Sequence, residues 1–76
     1  MKAIFYHAGC PVCRDAEAFV TRYLDRSKVE LEVVHLGESR NRVAEASAAG
    51  VKSVPALVLD GRPLHLNHGA DLSALG

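Results

Sequence analysis

HAGCPVCRDAEAF, residues 7–19, holds both cysteines of the chain, Cys10 and Cys13, with Pro11 and Val12 between them. Behind the pair, Ala16, Phe19, Val20, Tyr23 and Leu24 recur at i, i+3, i+4, i+7 and i+8. That is the period of an amphipathic helix. It predicts a helix over 11–26 whose first turn contains Pro11, where a missing N–H costs nothing. Phe5, Phe19 and Tyr23 are expected in the core or at its edge. Before the pair, KAIFY (2–6) is a short apolar run and reads as a buried strand. The cysteines therefore sit where a strand hands over to a helix. A CxxC pair serves three chemistries: a redox dithiol, half of a zinc site, or a structural staple. The staple is the weakest of these, because a bridge across so short a loop restricts the unfolded chain little.

Outward from this stretch the pattern keeps alternating. VELEVVHL (29–36) sets Val29, Leu31 and Val33 against Glu30 and Glu32, the period of a strand. ESRNRVAEASAAG is Ala-rich; Ser39 is its expected N-cap and Gly50 the residue past its end. Ala44 and Ala48 are expected to pack against the sheet. PALVL (55–59) and RPLHLN (62–67) flank Asp60-Gly61, a two-residue hairpin signal. Pro63 cannot donate to a ladder, which predicts an edge strand. GADLSALG offers one or two closing helical turns. The first βαβ crossover should be right-handed and make a parallel pair. The result is a mixed four-stranded α/β sheet in the order 2-1-3-4, with helices on both faces.

Bulk properties narrow the function. With 76 residues the chain makes one small domain, residues 1–76, and buries only about 60% of its unfolded surface. Apolar residues are 49% and aromatics 5%, so aliphatic side chains must fill the core. Nine basic residues balance nine acidic ones, which argues against a nucleic-acid footprint. No stretch approaches the roughly 20 apolar residues of a membrane span. The N-terminal apolar run is too short for a secretory signal, so a cytoplasmic protein is expected. In such a compartment a pair of cysteines is seldom a structural disulfide.

Cys10 lies at the mouth of the predicted helix, where unpaired N–H groups and the helix dipole favour a thiolate. Cys13, three residues on, returns beneath it, within reach of a mixed disulfide formed there. A second motif, GVKSVPALV (50–58), opens a strand at Val54-Pro55; from the residues alone an ordinary trans proline is the first reading. Together the motifs give the chain a resemblance to glutaredoxins and small thioredoxin-like proteins of the thioredoxin fold. GCPVC resembles the glutaredoxin CPxC site, and SVPALV resembles the family's Val-Pro element. The resemblance spans essentially the whole chain, as a βαβαββα order. It implies Cys10 as nucleophile, Cys13 as resolving thiol and Pro55 as a cis-proline. It also implies Val54 as the residue whose backbone pairs with a bound thiol peptide.

The same resemblance sets finer expectations. Thioredoxins carry Asp and Trp where this chain has Ile4 and Gly9, which favours the glutaredoxin side. Glutaredoxins place a Lys for a glutathione carboxylate where His7 stands, and a Tyr where Val12 stands. NHGADL keeps Gly69 and Asp71 of the family's glutathione loop, without its double glycine. Expected ligand residues are thus His7, Pro11, Val54, Pro55, Gly69, Ala70 and Asp71. The implied activity is disulfide reduction on a protein or small molecule. No bound prosthetic group is expected, and glutathione is the expected co-substrate; the alternatives are a redoxin that depends on a thioredoxin-reductase-type reductant, or a non-catalytic metal-binding module that uses the CxxC. A monomer is expected. Tyr6 is a candidate for the groove wall. His65 and His68 form HxxH, but the long gap from Cys13 is unlike a compact zinc unit, so no metal is assigned. Arg14 is expected in solvent.

Overall fold

Lys2–His7 form β1, whose alternate residues are buried on opposite faces. In the computed structural model, which describes residues 1–75, Ala3 and Phe5 join one apolar cluster, and Ile4 and Tyr6 join the other. Glu30–His35 (β2) lie parallel to β1, and Ser53–Leu59 (β3) antiparallel on its other side. Arg62–Asp71 (β4) close the sheet, antiparallel to β3. The order is β2-β1-β3-β4, as read from the sequence. Asp60 and Gly61 turn the hairpin with φ of 52° and 80°, the pair of positive values a two-residue turn of this hand demands. Pro63 lies on the edge strand, opposite Val58.

Pro11–Tyr23 form α1, with Pro11 in the first turn. The helix ends earlier than the predicted residue 26. Leu24 is already extended (φ −74°, ψ 134°), and the Asp25 carboxylate accepts the Ser27 N–H at 3.0 Å, fixing a turn. Cys13 and Val20 are buried, with Ala16 and Leu24 packed partly against the core. Phe19 and Tyr23 are not core residues. They are 60% and 65% exposed, with their rings 4.7 Å apart on the outer side of the helix. The helix meets the sheet through its small stripe instead, one residue round from the aromatic one.

The second helix also departs from expectation. A 3-10 turn at Arg40–Arg42 precedes α2, Val43–Ala48. The Ser39 side chain makes no capping hydrogen bond. Ala46 is the buried alanine, whereas Ala44 and Ala48 face solvent. Gly50 follows with φ +94°, and the Val51 N–H reaches back to the Ala46 carbonyl at 3.0 Å. Polar contacts hold α2 against the sheet. The Arg42 guanidinium bridges Glu32 of β2 at 2.6 Å and Glu45 of α2 at 2.8 Å. The Tyr6 hydroxyl of β1 donates to Glu45 at 2.6 Å. Tyr6 is thus a buried strut under α2 and forms no wall of a groove at the cysteines.

After β4 the described chain ends in a 3-10 turn, Leu72–Ala74, rather than an α-helix; Leu72 anchors it in the core. Among the described residues, no helix is long and apolar enough to cross a membrane.

Candidate active site

Cys10 is the N-cap of α1, with extended backbone (φ −71°, ψ 163°). Its sulfur takes the place a Ser or Asp oxygen holds at other helix starts. The Cys13 N–H donates to Cys10 Sγ at 3.3 Å, and the Arg14 N–H to the Cys10 carbonyl at 2.9 Å. Negative charge on Cys10 Sγ would meet the Cys13 amide and the positive end of a 13-residue helix. Cys13 is fully buried, while Cys10 is half-buried. The two are joined as a disulfide, with Cα atoms 4.9 Å apart. Pro11 is exposed beside them, and Arg14 points to solvent.

The second wall comes from the far end of the sheet. The Val54–Pro55 peptide is cis, and both residues are buried. Val54 stands in register with Ala70 of β4, so the chain's own strand lies along it. Gly69 closes over the cysteines. A Cβ at that position would overlap Cys10 Sγ and lie 3.0 Å from Val12 Cγ2 and 3.1 Å from the Val54 carbonyl oxygen. Only a residue without a side chain lets β4 approach the sulfur so closely. Asp71 is exposed, with its carboxylate 2.9 Å from His68 Nε2. His65 accepts the Lys52 N–H at 3.1 Å. The HxxH histidines, both on β4, therefore have separate partners.

Behind the cysteine loop lies a histidine pair. His7 is 7% exposed and turned inward. Its Nδ1 accepts the Gly9 N–H at 3.1 Å, its Nε2 lies 3.8 Å from the Glu17 carboxylate, and its ring stacks on Phe5. Burial pulls its pKa below the ordinary imidazole value, against the opposing pull of Glu17. The expectation that His7 meets a ligand carboxylate is therefore corrected: it is a buried ring under the loop. Its neighbour was missed from sequence. The His35 ring lies 4.7 Å from that of His7, and its Nδ1 is buried without a hydrogen-bond partner among the described residues. A Cβ on Gly9 would come 2.7 Å from His35 Nε2, and one on Gly37 would come 2.7 Å from His35 Cε1. Two glycines, Gly9 of the cysteine loop and Gly37 after β2, thus make room for one imidazole. The signal was present in the sequence as glycines two residues past the aligned His7 and His35.

Residues 2–66 match the family model described as thioredoxin domain. The chain belongs to that family. A solution structure of a dimeric thioredoxin-like protein from Nitrosomonas europea is 59% identical to it, with a TM-score of 0.90, over 97% of this chain and 92% of that one. No curated protein matches. The thioredoxin-like fold and the CxxC pair support a redox role. The expected monomer is overturned by this comparison, since so similar a protein is described as dimeric. Of the residues expected at the site of this thioredoxin-domain protein, Cys10, Cys13, Gly69, Val54 and Pro55 come together. Pro11 and Ala70 flank them, Asp71 sits on the β4 rim, and His7 lies beneath.

Proposed function

We propose that the protein is a glutaredoxin-like thiol-disulfide oxidoreductase that reduces disulfides through Cys10 and Cys13. The observation that carries this reading is the asymmetry of the pair: a half-exposed sulfur at a helix N-terminus and a fully buried one a turn beneath it. In the dithiol form, the Cys10 thiolate attacks one sulfur of a substrate disulfide. A Cys10–substrate mixed disulfide forms and one substrate thiolate leaves. Cys13, as thiolate, then attacks Cys10 Sγ and expels the second thiolate. Two electrons pass to the substrate, and the chain is left as the Cys10–Cys13 disulfide. Substrate reaches Cys10 past Gly69, with Ala70 and Asp71 on one rim and Pro11 on the other. Glutathione, or a thioredoxin-reductase-type enzyme, restores the dithiol. Such a cycle belongs in a reducing compartment, here the cytoplasm. The chain works as a dimer, the state described for the Nitrosomonas protein.

The test is NADPH consumption on a small mixed disulfide, with glutathione and glutathione reductase in one tube and thioredoxin reductase in another. Turnover in either supports the reading and identifies the reductant. Cys10→Ser should abolish it, while Cys13→Ser should accumulate a mixed disulfide visible by mass spectrometry. Silence in both tubes, or full turnover by Cys10→Ser, would refute the proposal.

A further inference from the structure

This chain leaves half of its four aromatic rings in water. Phe19 and Tyr23 stand together on the outer side of α1, and the Arg22 guanidinium lies 5.6 Å from the Tyr23 ring centre. Beside them runs β4, whose outer edge has no strand partner among the described residues. It contributes Leu64 and Leu66, 48% and 39% exposed. Leu64 stands opposite Leu57, which belongs to the cluster on the α1 side of the sheet. Leu66 alternates onto the same side and lines a groove with Val12, Ala16 and Phe19. The helix and β4 run in opposite directions, so Leu66 lies toward Phe19 and Leu64 toward Tyr23. The four side chains form one apolar patch across two elements. The opposite edge of the sheet is different in kind: β2 is short, carries Glu30 and Glu32, and Glu32 is tied down by Arg42.

We propose that a second copy of this chain covers the patch, α1 and β4 of one protomer against α1 and β4 of the other. The inference rests on the dimeric reading above and locates its interface. The patch is built for a two-fold partner, where the same surface must match itself. Asp15, Phe19, Arg22 and Tyr23 share one helical stripe, acidic at the start and basic at the end, with Arg26 just beyond. A two-fold axis near Phe19 sets the two helices antiparallel. It stacks aromatic on aromatic and lays the acidic end of each stripe against the basic end of the other. Area fits as well. A standard interface takes about 800 Å² from each partner, roughly a sixth of this chain's 4626 Å². Four apolar side chains supply its centre, and Asp15, Arg22, Arg26 and Arg62 supply a polar rim.

Analytical ultracentrifugation over a concentration series tests this on wild type, Phe19→Glu, Leu66→Glu and the control Val33→Glu. Val33 is 40% exposed on the β2 edge. All three substituted positions are exposed, and circular dichroism melts check that each variant folds. The wild type and Val33→Glu should dimerise alike. Phe19→Glu and Leu66→Glu should each raise the dimer Kd at least about thirtyfold, as expected for a central interface residue. A dimeric wild type with Phe19→Glu and Leu66→Glu at the same Kd would place the interface elsewhere, overturning this inference while leaving the dimer intact. A wild type that is monomeric throughout would sink the dimeric reading and this inference with it. Monomeric wild type combined with loss of turnover on a protein disulfide, but not on a small one, in Phe19→Glu would make the patch a substrate surface instead.

Discussion

Gly69→Ala tests the geometry over the cysteines most directly. The new methyl would fall on Cys10 Sγ, with Val12 Cγ2 at 3.0 Å and the Val54 carbonyl oxygen at 3.1 Å on its other sides. With these three atoms close at once, either β4 lifts or the sulfur moves. Overpacking of this kind costs about 2 kcal/mol, which for a domain of this size lowers Tm by roughly 8–16 °C. The cost should differ between redox states. In the disulfide, Cys10 Sγ is tied to Cys13, which is fully buried and held in the core. In the dithiol, Cys10 is free to rotate away about its Cα–Cβ bond. The methyl therefore penalises the oxidised form more. A difference of about 1.4 kcal/mol would shift the equilibrium tenfold toward the dithiol.

Two measurements read this out. Thermal melts of oxidised and reduced protein give the penalty in each state. Equilibration against a dithiol buffer of known potential, quenched by alkylation and read by mass spectrometry, gives the ratio of disulfide to dithiol. Both should move in the same sense, because they close one thermodynamic cycle. If Gly69→Ala melts with the wild type in both states and keeps the same ratio, then Gly69 does not pack on the sulfur and the wall over the site is drawn wrongly.

Tyr6→Phe removes the hydroxyl donated to Glu45 and should cost about 1 kcal/mol in urea unfolding, since Glu45 is partly solvated. In the wild type, Arg42 first and Tyr6 second hold Glu45 down at about 2. A depressed carboxylate stabilises the fold above its unfolded value of 4.5, and that contribution should fade as pH falls from about 4.5 to about 2, seen in melts across that range. His7 is depressed by burial, so the folded state prefers it neutral. Stability should be full above 6.5 and fall as the solution is acidified through the lower folded value; ring-nitrogen NMR should show the proton on Nε2 at neutral pH, because Nδ1 accepts from Gly9. Gly37→Ala would bring a methyl to 2.7 Å from His35 Cε1 and should cost about 1–3 kcal/mol. The same substitution made on His35→Ala should cost far less, a coupling that a double-mutant cycle measures; equal costs would show that the glycine does not serve the imidazole.

The sheet order was legible because each strand carried its own marker: a short apolar run, an alternating run, and two runs joined by Asp-Gly. The cysteines were legible because a strand-to-helix junction is visible in the change of period. What failed was the choice of face on α1. Phe19-Val20 and Tyr23-Leu24 are adjacent in pairs, so two stripes fit the helical period equally well. Size favoured the aromatics as core, but the sheet accepts the smaller stripe of Cys13, Ala16, Val20 and Leu24. In α2 the six-residue helix leaves room for one inward alanine, and Ala46 takes it in place of Ala44 and Ala48. The His7–His35 stack stayed hidden because it depends on strand register. Oligomeric state is not written in hydrophobic period at all: an exposed aromatic stripe and a buried one look the same along the chain.

The choice of stripe bears on function because α1 has to do two things with its surface. Its inner stripe must be small, so that the helix lies close to the sheet and buries Cys13 without burying Cys10. The large residues are thereby driven to the outer stripe, where they need a cover. Val12 belongs to both regions: it lines the groove with Phe19 and Leu66, and its Cγ2 would lie 3.0 Å from a Cβ placed on Gly69, beside Cys10. A protomer docked on the outer stripe would therefore stand at the side of the sulfur. Substrate would be left the path between Pro11 and the Gly69–Asp71 rim. Such a path admits a small or extended disulfide more readily than one held in a broad, flat surface. If a second protomer covers the aromatic stripe as proposed, the same interface would also narrow what a nucleophilic Cys10 could attack.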